Sequence, residues 1–232
     1  MAFRAVRALW PETGLVAGLL AAQTLITTEL GKPGNPTAGP PGILADLAAT
    51  VLVLPYTIAV YRYAMGLPVG SLRDRVRQVV RRKDFLAYNL GLFLLGILLA
   101  EAWTLSFPYH SLVFVVLCGP SFWLTTRLFV MGPTLALDGF DVTVREAFRV
   151  TAGQIWTLFL LGFYVTLPLL GAILIVGLAA GVVNCGLNLK PAPASFGALF
   201  LPSSVFGHVL KAVLETKIFQ RLLLPTPPQD VR

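Results

Sequence analysis

Apolar stretches close to membrane-spanning length recur along this chain, separated by short segments rich in arginine, proline or glycine. A helix rising about 1.5 Å per residue needs about 20 apolar residues to cross the hydrocarbon core of a bilayer. By that measure the candidate spans are 12–30, 42–65, 85–107, 111–135, 152–181 and 198–219. The expected fold is therefore all-α, a polytopic membrane helical bundle of about six transmembrane helices. It would form a single integral membrane domain over 1–225, with a disordered tail at 226–232. Composition agrees: 12% of the 232 residues are charged, about half the share of a soluble domain. Mean hydropathy is +0.77.

The basic residues are distributed unevenly. Lys32 and Lys190 lie in the segments 31–42 and 182–197, and the turn 107–111 has no basic residue. Arg4, Arg7, Arg62, Arg73, Arg75, Arg77, Arg81, Arg82, Lys83, Arg127, Arg145, Arg149, Lys217, Arg221 and Arg232 fall on the opposite side. Lys211 remains inside a span. Basic residues accumulate on the cytoplasmic side of multi-pass proteins, so the expected orientation has both termini inside, in a bacterial inner membrane. The net charge of +7 then reflects topology and anionic lipid rather than nucleic acid. Arg4 and Arg7 before an apolar stretch resemble a signal peptide, but Trp10-Pro11-Glu12 interrupts the join, and a retained first helix is expected.

Two basic segments read as short interfacial helices. In 71–83, Leu72, Val76, Val79 and Val80 share a helical face, and Ser71 with Asp74 offers an N-terminal cap. In 143–151, Thr143 with Glu146 offers another, with Val144 and Phe148 on one face. Arg73, Arg77, Arg81, Arg82 and Lys83 are the candidate anionic-lipid contacts. Such segments also read as extensions of the spans that follow them.

An internal repeat links two parts of the chain. Pro55 precedes Arg62 by seven residues and Pro120 precedes Arg127 by seven, each followed by Met-Gly at 65–66 and 131–132. A capped amphipathic segment and then LFLLG follow in both copies, at 92–96 and 158–162. This predicts two helix–surface helix–helix units running in parallel. Arg62 and Arg127 would sit near the cytoplasmic interface, snorkelling outward or pairing with an acid.

The stretch RLFVMGPTLALDGFDVTVREAFRVTAGQIWTLF, from Arg127 to Phe159, and the earlier LPYTIAVYRYAMGLP carry a likeness to known families. An arginine-containing helix end leads to a proline and an acidic turn; then Ala147, Thr151, Gly153 and Trp156 open the next span. This resembles the membrane domain found beside some glycerophosphodiester phosphodiesterases, and the YciC-like uncharacterised membrane proteins. The resemblance implies a six-helix membrane module without a catalytic residue of its own. In that family phosphodiesterase activity belongs to a separate soluble domain, so no catalytic residue carries over.

The sharpest polar feature is on the last span, where Ser204, His208, Lys211 and Glu215 recur at helical spacing. They read either as an ion path or as a Lys211–Glu215 pair snorkelling to the surface, with Glu215 also within reach of Arg62 or Arg127. A metal site from Asp46, Glu101 and His110 has no supporting spacing, and Cys118 and Cys185 form no ligand pattern. No phosphate loop, zinc helix or nucleophile elbow occurs, so neither an enzyme nor a cofactor is expected. Gly14-x-x-x-Gly18-x-x-x-Ala22 and Gly177-x-x-x-Gly181 would allow close helix approach. The expected function is a scaffold, assembly factor or accessory subunit of a membrane complex, with membrane lipids and other membrane proteins as partners. The alternatives are a small transporter using the polar stripe, and a lipid-handling protein.

Overall fold

The computed structural model describes residues 1–30, 39–105, 110–140, 142–164, isolated positions between 167 and 178, and 193–223. Among these the fold is all-α, with ten helices and no strand. In chain order they are α1 (Ala2–Ala8), α2 (Trp10–Leu30), α3 (Gly39–Met65), α4 (Leu72–Arg81), α5 (Lys83–Leu105), α6 (His110–Arg127), α7 (Met131–Ala136), α8 (Val144–Val150), α9 (Ile155–Tyr164) and α10 (Pro193–Leu223). The tail at 226–232, most of the segment 182–197, Cys185 and the Gly177–Gly181 pair lie outside the described residues, as do the side chains of Glu29, Glu101, Trp103, His110 and Ser204.

Capping chemistry sets the two short basic helices apart from the spans after them. The Ser71 hydroxyl accepts from the Asp74 amide and donates to its carboxylate at 2.6 Å. That holds the Asp74 carboxyl below its ordinary range. Thr143 and Glu146 form a complete reciprocal capping box, which lowers the Glu146 carboxyl likewise through the Thr143 backbone amide and hydroxyl. α4 stops at Arg82, whose backbone leaves helical geometry. α8 is separated from α9 by a turn in which Gly153 takes φ +77°, a conformation glycine adopts without penalty. Both segments are therefore helices in their own right, not extensions.

Several expected boundaries are corrected. The candidate span 111–135 divides: α6 ends at Arg127, and α7 is a separate buried turn of helix beginning at Met131. The candidate span 152–181 begins three residues later, at Ile155. α1 was not anticipated. The two repeat units share the order helix, capped surface helix, helix, as α3–α4–α5 and α6–α8–α9. They differ at the Met-Gly step: Gly66 leaves the helix at φ +75°, whereas Gly132 lies within α7.

α3 is the central helix. Every residue from Val53 to Tyr61 is buried, so this stretch is enclosed on all sides, as an all-round apolar helix must be. α2 and α10 pack against it and against each other, and α5 pairs with α6. Two polar contacts tie α2 to α3: the Thr13 and Tyr56 hydroxyls meet at 2.7 Å, and Gln23 donates to the Asp46 carboxylate at 2.8 Å.

α4 turns only part of its apolar face inward. Val79 is buried, but Leu72, Val76 and Val80 face outward. Instead Arg75 and Gln78 point into the protein. Arg75, 1% exposed, makes a two-pronged ion pair with Glu12 of α2, and Gln78 donates to the Ala136 carbonyl of α7 at 2.6 Å. Arg75 can take an inward position because the Glu12 carboxylate meets its guanidinium with two charge-assisted bonds. Among the described residues one helix, Gly42–Met65 within α3, is long and apolar enough to cross a membrane, with mean hydropathy 2.0.

Candidate functional site

α5, α6, α9 and α10 enclose a groove of about 1090 Å³. That volume lies just above the range of about 300–1,000 Å³ typical of small-molecule pockets. Its walls are apolar: Leu92, Leu95 and Leu99 from α5, Phe122 from α6, Leu158, Phe159 and Phe163 from α9, Leu210 and Leu214 from α10. Phe122 and Phe159 meet edge to face at 5.0 Å and join α6 to α9.

Glycines give the groove its width. Gly96, Gly119 and Gly162 stand on its walls, and a methyl group added at any of them would meet nothing within 4 Å. Gly96 and Gly162 are the last residues of the two LFLLG copies. The repeat thus supplies matching walls from α5 and α9. In the sequence LFLLG marks the repeat but does not by itself announce a groove.

Three hydroxyls on the walls are committed to backbone carbonyls. The Thr125 hydroxyl donates to the Ser121 carbonyl at 2.9 Å, Thr126 to Phe122 at 2.8 Å, and Tyr88 to the Leu128 carbonyl at 3.1 Å. Charge enters at one wall only, through Lys211 and Glu215 of α10, whose ammonium and carboxylate lie 3.8 Å apart. The Lys211 side chain is 52% exposed and that of Glu215 3%, so the lysine presents its ammonium at the groove while the glutamate is fixed behind it.

Glu215 is held by Tyr61 of α3, whose phenol donates to Oε2. Neither Arg62 nor Arg127 reaches it, and neither arginine pairs with an acid among the described residues. Arg62 Nη1 donates to the Pro68 carbonyl at 3.4 Å. Arg127 Nη1 donates to the Phe148 carbonyl at 2.7 Å, and its guanidinium lies over the rings of Trp123 and Phe148 at 5.4 and 5.8 Å. Both repeat arginines therefore secure the backbone that follows their own helix. Gly132 of α7 packs over the Tyr61–Glu215 contact: a Cβ there would lie 2.5 Å from the phenol oxygen and 3.0 Å from Glu215 Oε2.

The polar positions of the last helix divide between two sides. His208 Nε2 meets the Thr57 hydroxyl of α3 at 2.9 Å, and Glu215 binds Tyr61 of α3 while bordering the groove that Lys211 also lines. Glu215 does not snorkel to the surface, because Tyr61 satisfies it in the interior. Among the described residues no three histidine, cysteine, aspartate or glutamate side chains come together as a metal site. No family model, no curated protein and no solved structure matches this chain.

Proposed function

We propose that this chain is a multi-pass membrane protein whose groove holds a long-chain amphiphile, with its apolar tail along α5, α6 and α9 and its polar end at Lys211. The observation that carries the reading is the groove itself, about 1090 Å³ of apolar wall with a lysine and a fixed carboxylate on one side. An apolar ligand with one polar end matches that distribution, and hydroxyl groups committed to backbone carbonyls would not compete for it. The protein acts by binding and presenting the ligand rather than by transforming it.

Hydrocarbon solvation is supported by the outward faces of the helices. Leu15 on α2, Leu52 on α3, Leu94 and Leu98 on α5, Val116 on α6 and Leu160 on α9 are all large, apolar and exposed. Soluble monomers rarely expose contiguous apolar patches above a few hundred Å². Six crossings follow if α2, α3, α5, α6, the segment continuing from α9, and α10 each span, with the arginine-rich side in the cytoplasm.

Because the space in front of Gly96 and Gly162 is empty, Gly96→Phe and Gly162→Phe should fill the groove without a backbone clash. Native mass spectrometry of the gently extracted protein should find one or more lipid-sized adducts on the wild type and fewer on each variant. Equal adduct populations in all three proteins would exclude the groove as the binding place.

A second reading, that of a subunit or scaffold in a membrane complex, is favoured by α2. Gly14, Gly18 and Ala22 form an exposed row on that helix, and space is open at both glycines, so another helix could approach closely there. The two readings are compatible, since none of the groove's lining residues belongs to α2.

A further inference from the structure

A second, smaller cavity of about 260 Å³ lies on the arginine-rich side, where the end of α3, the outer part of α4 and the turn after α7 meet. Arg62, Arg77, Arg81 and Arg82 line it, with Asp74, Gln78 and Asp138. Four guanidiniums against two carboxylates leave a formal charge of +2.

The remaining polar groups are already engaged. Asp74 is bound to the Ser71 hydroxyl, Asp138 to Arg82 at 2.5 and 3.2 Å, and the Gln78 amide to Ala136. Arg77 and Arg81 have neither a hydrogen bond nor an ion pair with any described residue, and Arg62 makes one long bond to Pro68. Gly70, at φ +72°, brings the loop against the Arg62 head, where a Cβ would lie 3.1 Å from Nη1. Three guanidinium forks with donors to spare thus border one small space.

We propose that this cavity binds a phosphate group, and that the group belongs to an anionic phospholipid of the facing leaflet. Guanidinium forks match the oxygens of phosphate in pairs, and three forks require a ligand with several oxygens, which a single carboxylate lacks. The lipid source follows from the neighbouring row Leu72, Val76 and Val80, which are 49%, 45% and 68% exposed. This row puts apolar surface beside the cationic cavity, the arrangement of a helix lying at headgroup depth. The helix is fixed there, because Arg75–Glu12, Gln78–Ala136 and Arg82–Asp138 anchor its inner side. The assignment rests on the membrane reading and is independent of the groove.

The test uses the full chain in detergent micelles, titrated with dihexanoyl phosphatidic acid, dihexanoyl phosphatidylcholine and inorganic phosphate. Phosphatidic acid should bind and phosphatidylcholine should not. Arg77→Gln and Arg81→Gln should each weaken binding by about tenfold, as loss of a charge-assisted bond implies. Arg73→Gln should change it little, because Arg73 is exposed on the same helix yet does not border the cavity. A loss with Arg73→Gln equal to that of the other two would overturn the cavity in favour of a general basic surface. Inorganic phosphate binding as tightly as phosphatidic acid would overturn the lipid source. Binding that survives Gly96→Phe separates this site from the groove.

Discussion

Replacing Glu12 by alanine should destabilise the protein by about 3–5 kcal/mol, since it strands a buried guanidinium without its counter-charge. Arg75 is 1% exposed, and its other contact, Nε to the Ser71 carbonyl at 3.3 Å, does not neutralise it. The same pair is what seats α4 on the start of α2, so α4 should loosen as well. Arg75→Met should cost less, because it removes the buried charge together with its bond. The double variant Glu12→Leu with Arg75→Met should recover most of the loss, as buried ion pairs exchanged for packed apolar groups often do. Unfolding in mixed micelles measures all three. If Glu12→Ala proved no worse than Arg75→Met, the pair would not be the anchor described.

Gly132→Ala is the second large effect, expected at about 1–3 kcal/mol from overpacking. Its new methyl would stand 2.5 Å from the Tyr61 phenol oxygen. Tyr61 cannot swing aside, because it is 3% exposed and its ring packs edgewise on Phe85 at 6.5 Å. α7 must therefore move outward, which draws the Ala136 carbonyl away from Gln78. Tyr61→Phe removes the obstructing oxygen, so the double variant should lose less than the sum of the single losses. Strict additivity in that cycle would show that the glycine is not needed for this approach.

Local chemistry was legible in the sequence and long-range pairing was not. The caps at Ser71–Asp74 and Thr143–Glu146 span three residues, and each helix begins one residue after its cap. Apolar length likewise located α2, α3 and α5 to within a few residues, but it ran α6 on through the separate α7. Periodicity grouped the apolar residues of α4 but could not show that Arg75 turns inward, because the partner that draws it is 63 residues away. The same limit hid the Tyr61 partner of Glu215, 154 residues distant. Arg62 and Arg127 hold backbone carbonyls rather than the acids expected of them, a role no side-chain pattern announces. The groove was half visible: two of its glycines stand at the ends of the repeated LFLLG, but only the placement of both copies on one groove gives that repetition a shape.

The central claim is that lipid surrounds this bundle and that the α4 side faces the cytoplasm. Single cysteines test it most directly, placed at exposed Val76 on α4 or at Asn188 in the opposite segment, in a background where Cys118 and Cys185 are alanine. A membrane-impermeant maleimide should label Asn188→Cys in intact cells, and Val76→Cys only after the membrane is opened. Labelling of Val76→Cys from outside intact cells would contradict the account.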